Sequence, residues 1–234
     1  MKWYYFIIAG SVIAAAFISM QIQKINSGQS VAREGLRYVV IGDSYSNGEG
    51  ASETVAWPVL MTEHLQAEGV LIEIQQNLAR SGWTTLDAIR GQLPRVRQLD
   101  PTFATVMLGA NDAFQGATPA DFRNNFSTIL DEVVEIVPDK RHIFVVTIPD
   151  FSLSPEGKVY RLTDTLIREF NDIIKEESAA RNIAVIDIFP LSQTLAADRT
   201  MFAPDGLHPS EKQLREWERV IFENIYPALE RTNK

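Results

Sequence analysis

The chain has 234 residues, 45% hydrophobic and 22% charged, which fits one globular domain with a sizeable core. Its net charge of -8, with no basic stripe along the chain, excludes a nucleic-acid partner. The absence of cysteine excludes disulfides, thiolate metal sites, a cysteine nucleophile and an N-terminal lipidated cysteine, and leaves the compartment open.

Residues 3–20 carry no charge and include the strongly apolar run from Phe6 to Ile13. At about 1.5 Å per residue they approach the minimum needed to span a bilayer core. Lys2 precedes them, and Trp3, Tyr4 and Tyr5 form an aromatic belt at one end. Residues 1–20 therefore read as an N-terminal transmembrane anchor with the remainder of the chain outside the cytoplasm. A cleaved signal peptide is the alternative, with Ala14-Ala15-Ala16 as its site. Against it, Phe17, Ile18 and Met20 continue the apolar run beyond that point. The polar residues 21–36 read as a linker and residues 37–234 as the functional domain.

Within that domain the spacing predicts strands over 37–41, 71–75, 104–108, 143–148 and 183–186. Several are continuous apolar runs rather than alternating ones, as expected of strands covered on both faces. Helical periodicity falls between them, over 57–67 and 85–93. It recurs at Phe122, Phe126, Ile129, Leu130, Val133, Val134 and Val137, and again at Leu166, Phe170, Ile173 and Ile174. Thr118-Pro119 signals a helix start, and Ser210 with Gln213 reads as a capping box opening the last helix. The alternation predicts an α/β fold, a three-layer α/β/α sandwich around a five-stranded parallel sheet. Functional residues in such sheets cluster just after the strands.

Four blocks occupy those positions. Gly42-Asp43-Ser44-Tyr45 follows the first strand, residues 77–82 ending in Ser81-Gly82 follow the second, and Gly109-Ala110-Asn111-Asp112 follows the third. Asp205-Gly206-Leu207-His208-Pro209 follows the last. A serine at a strand tip is exposed and fixed, and needs an adjacent base to act as a nucleophile. Of the three histidines, His64 falls within a helix and His142 at the far edge of the sheet, leaving His208 as the base. Asp205 would hold its tautomer and stabilise the imidazolium. Asp43 and Asp112 read as structural. Gly42, Gly48 and Gly50 lack the lysine and spacing of a phosphate loop. Asp43, Asp112, Asp205 and His208 show no metal-ligand spacing, so neither metal nor cofactor is expected.

These four blocks resemble the SGNH, or GDSL-type, serine hydrolases, whose four namesake residues match Ser44, Gly82, Asn111 and His208. The resemblance covers residues 37 to about 229 and implies a flavodoxin-like hydrolase fold. Tyr45 stands where leucine is usual, which bears on pocket shape and not on chemistry. By resemblance, the backbone N–H groups of Ser44 and Gly82 and the Asn111 amide form an oxyanion hole. The activity implied is cleavage of lipid, small-molecule or carbohydrate acyl esters through an acyl-enzyme. Acyl transfer from the same site and a non-catalytic binding domain are the alternatives. Tyr45, Trp83, Phe114, Phe151 and Phe202 are candidates to line an acyl pocket, and residues 150–159 to form a flap or an ordinary surface loop over it. Substrate and oligomeric state are not legible.

Overall fold

A computed structural model describes residues 34–160 and 162–232. The apolar segment 1–20 and most of the polar segment 21–36 lie outside the described residues. Among those described, no helix is long and apolar enough to cross a membrane.

The apolar runs form one parallel five-stranded sheet: β1 (Leu36–Gly42), β2 (Ile72–Asn77), β3 (Phe103–Met107), β4 (Ile143–Val146) and β5 (Ala184–Ile186). Their order is β2-β1-β3-β4-β5. Every residue of β3 and β4 is buried, and β1 is buried from Tyr38 onward, because helices cover both faces. At the sheet edge, β2 exposes Glu73 and Gln75.

The helices are α1 (Ser44–Asn47), α2 (Trp57–Ala67), α3 (Thr85–Gly91), α4 (Leu93–Leu99), α5 (Ala110–Phe114), α6 (Pro119–Ile136), α7 (Pro155–Val159), α8 (Asp164–Ala180), α9 (Phe189–Leu195) and α10 (Glu211–Thr232). The helix expected over 85–93 ends at Gly91, and a second one, not expected, follows it over Leu93–Leu99. Pro94 lacks the N–H that a helix interior requires, so the first ladder stops at Gly91 and a second starts at Leu93. On α6 the apolar stripe is buried as its period predicts, and Phe122 stacks on Phe170 of α8 with centroids 4.1 Å apart. Helix α2 packs on α10, with Trp57 and Trp217 fully buried. The Ser210 box closes on one side only. Gln213 N–H reaches Ser210 Oγ at 3.4 Å, whereas Ser210 N–H is taken by Met201 O at 2.8 Å.

Register decides where the loops emerge. Gly42 pairs with Met107, so β1 and β3 end level, while Asn77 at the end of β2 pairs with Val40, two residues short of the end of β1. The chain leaves β1 for β2 on one side and returns for β3 on the other. In open α/β sheets this reversal of strand order opens a crevice between the diverging connections. Ser44 follows β1 and Asn111 follows β3, one on each side of it.

Candidate active site

Ser44 opens α1 directly after β1. Asp43 caps that short helix, its Oδ1 accepting the Tyr45 N–H at 3.0 Å. Gly42 is held from the side by Gln92, whose Oε1 accepts the Gly42 N–H at 3.1 Å and whose Nε2 donates to Gly42 O at 2.7 Å. Ser44 itself is largely buried, 6% exposed, at the floor of the crevice.

The loop after α1 then runs against the C-terminal block. A Cβ on Gly50 would stand 2.7 Å from the Cβ atoms of both Ala203 and His208, and its φ is +91°. Only glycine allows this approach, which seats the serine loop beside the histidine loop. On that second loop, Asp205 folds its own turn. Its Oδ1 accepts the N–H groups of Leu207 at 2.9 Å and His208 at 3.0 Å. The other oxygen meets His208 Nδ1 at 2.7 Å. Partial burial pushes the Asp205 carboxyl up, but these three donors together hold it below the usual carboxylate range.

Asn111 sits in the first turn of α5, its Nδ2 donating to Trp83 O at 3.0 Å and approaching Asp43 Oδ2 at 3.5 Å. One amide hydrogen is thus committed and the other only weakly so. Asp112 ties the same block to α3, accepting the Thr85 N–H at 2.9 Å and the Thr85 hydroxyl. Burial, opposed by the Tyr45 N–H and reinforced by the nearby Asp112 charge, pushes Asp43 up to about 7. Burial likewise raises Asp112. Both carboxylates lock loops together, the structural role read from the sequence.

Ser44, Gly82, Asn111 and His208 line one cleft of about 370 Å³. Tyr45, Phe114 and Phe151 form its apolar side, and Glu49 and Ser81, neither singled out by the sequence, its polar rim. Gly82 has φ +78° with open space around its Cβ position, so its backbone and not crowding demands glycine. Ser44 Oγ and His208 Nε2 are not hydrogen-bonded; Nε2 faces Glu49 Oε2 at 3.6 Å.

Two expected pocket residues lie elsewhere. The Trp83 indole folds back onto Gly91, where a Cβ would collide with the ring, because Thr84 caps α3 and turns the chain away. Phe202 bridges to Pro209 and lines a separate cavity of about 10 Å³ beside Trp217, room for little more than a water. Residues 150–159 form a 3-10 turn and α7, pinned by Glu156 N–H to Gly206 O at 2.9 Å. His64 stacks on Phe222 and pairs with Glu218 at 3.0 Å, and His142 Nδ1 lies 3.2 Å from Thr102 O, so both are structural. Among the described residues no three acidic or histidine side chains gather as a metal site.

The model of the GDSL-like lipase/acylhydrolase family matches residues 40–213. The chain belongs to that family. It is accordingly an enzyme of the esterase type. Esterase TesA of Pseudomonas aeruginosa is 23% identical over 192 residues, 82% of this chain and 86% of that protein. Thioesterase 1/protease 1/lysophospholipase L1 of Escherichia coli is 28% identical over 95 residues, 41% of this chain and 44% of that one. The GDSL fold recurs in the lipase/acylhydrolase from Enterococcus faecalis, with TM-score 0.68 and 24% identity over 81% of this chain and 95% of that one. It recurs also in a mutant of Axe2, an acetyl-xylooligosaccharide esterase from Geobacillus, with TM-score 0.67 and 17% identity over 82% and 94% of the two chains.

Proposed function

We propose that the protein hydrolyses carboxylic acyl esters through Ser44, His208 and Asp205. Ser44 Oγ attacks the ester carbonyl carbon while His208 Nε2 takes the hydroxyl proton. The negative charge that develops on the carbonyl oxygen meets the N–H groups of Ser44 and Gly82 and the loosely held hydrogen of Asn111. Collapse breaks the bond to the alcohol, which leaves with the proton returned from Nε2. Water, deprotonated by the same nitrogen, then releases the acid from the acyl-enzyme. The acyl portion rests against Tyr45, Phe114 and Phe151.

One observation carries this reading: the 2.7 Å contact of His208 Nδ1 with a carboxylate, on an imidazole that lines the same cleft as Ser44. A carboxylate on Nδ1 fixes the proton there and leaves Nε2 free to accept one. Esters of acyl chains from acetyl to palmitoyl, with acetylated sugars included, test the reading. Wild type is expected to turn over members of the panel, and Ser44→Ala to lose at least a thousandfold in kcat, on the order seen when a triad member is removed. Equal rates for the two proteins would refute it.

A further inference from the structure

Glu49 lies between Gly48 and Gly50 on the loop that follows the serine block and packs against the histidine block, and it lines the cleft. Its backbone N–H is taken by Asn47 Oδ1 at 2.9 Å and Ser44 O at 3.2 Å, which fixes where the side chain starts. Its carboxylate is 3.6 Å from His208 Nε2, beyond hydrogen-bonding distance, and among the described residues it has no other ion pair or hydrogen bond. The side chain is 40% exposed. No lysine or arginine lines the cleft, so the only cation that could face this carboxylate there is a protonated His208.

The chemistry of ester cleavage says which part of a substrate meets that charge. His208 Nε2 must hand its proton to the departing alcohol oxygen, so the alcohol lies beside Nε2 at the moment the bond breaks. A group 3.6 Å from Nε2 therefore borders the alcohol portion, while Tyr45, Phe114 and Phe151 remain for the acyl portion. The geometry points to Glu49 as the specificity-determining residue on the alcohol side: it selects esters of cationic alcohols and rejects those whose alcohol carries an anion. This inference rests on the esterase reading above.

The charge is solvent-touched, so its effect is that of a partly screened pair and not of a buried one. At about 5 Å it amounts to roughly tenfold in kcat/KM for each unit of substrate charge at low salt. Three acetyl esters of similar shape separate charge from size: acetylcholine, its uncharged isostere 3,3-dimethylbutyl acetate, and the acetyl ester of isethionate. Wild type is expected to prefer them in that order, with about tenfold between neighbours. Glu49→Gln keeps the side-chain shape and is expected to compress the acetylcholine to 3,3-dimethylbutyl acetate ratio to about twofold. Raising NaCl from about 0.02 to 0.5 M on wild type is expected to shrink the same ratio, as screening demands. An unchanged ratio in Glu49→Gln, a salt-independent ratio, or an anionic ester hydrolysed as fast as the neutral one overturns the inference. So does turnover of p-nitrophenyl acetate without turnover of acetylcholine, which leaves the esterase reading standing. Failure on p-nitrophenyl acetate and all three esters overturns the esterase reading, and this inference with it.

Discussion

Replacing Gln92 by methionine removes the clamp that holds the end of β1. Gln92 is 1% exposed and makes two hydrogen bonds to the backbone of Gly42, two residues before Ser44. Gly42 O also receives the Arg80 N–H at 3.2 Å, so methionine orphans only the Gly42 N–H. A buried unsatisfied donor costs about 1–3 kcal/mol, and the lost second bond about 1 kcal/mol. Methionine has nearly the length of glutamine, so no cavity cost is added. The sum is about 2–4 kcal/mol. With a urea dependence of about 2 kcal/mol/M, the unfolding midpoint should fall by about 1–2 M at unchanged slope. Because Ser44 hangs from the same backbone, a shift of about 1 Å there should cost on the order of 100-fold in kcat on p-nitrophenyl acetate. A midpoint within about 0.3 M of wild type, with full kcat, would show that Gln92 neither stabilises the strand end nor positions the serine.

Asp43→Asn should change how stability depends on pH. Burial raises Asp43 from 3.8 to about 7, so its protonated form adds stability fully present below about pH 4 and lost as pH rises through 7. The stability difference between wild type and Asp43→Asn should therefore move against wild type by up to about 1.4 kcal/mol per pH unit in that window, read from urea midpoints at pH 5 and 8. Parallel profiles would refute the assignment. Asp205→Asn leaves an acceptor for the Leu207 and His208 N–H groups but turns an amide N–H toward Nδ1. The imidazole proton then belongs on Nε2, and kcat should fall on the order of 10,000-fold with little change in melting temperature. A loss under tenfold would remove Asp205 from the mechanism.

The sheet was legible because burial on both faces writes continuous apolar runs, as in Tyr38-Val39-Val40-Ile41 and Phe144-Val145-Val146. Their ends shifted by one or two residues, since strand limits follow pairing partners and not composition. Ser44 was legible because it opens the short helix directly after β1, and His208 because Asp205 stands three residues before it, although α9 separates that block from β5. Gln92 was not: a glutamine inside a helical pattern gives no sign that its amide reaches 50 positions back to Gly42. Glu49 was hidden between two glycines, where the glycines drew the reading. Trp83 and Phe202 show why nearness in sequence to a site residue is weak support. The first ring packs against Gly91 and the second lines the small cavity beside Trp217.

The polar groups around the cleft divide into those already bonded and those held open, and the division fits the mechanism proposed above. Asn111 is tied to Trp83 O, Asp112 to Thr85, and Asn47 Nδ2 to Ser81 Oγ at 3.0 Å, so the loops bearing Ser44, Gly82 and Asn111 brace one another. Groups fixed before substrate arrives need no reorganisation when charge develops, which is how such donors lower a barrier. Keeping them fixed requires Asp43 and Asp112 to be buried beside each other, a cost visible in the raised pKa of both. The Ser44–His208 pair is left unbonded, with Nε2 facing Glu49 across 3.6 Å. On the mechanism proposed above, the loops are thus braced where charge would be stabilised, and the one contact still to form is the one through which the proton would move.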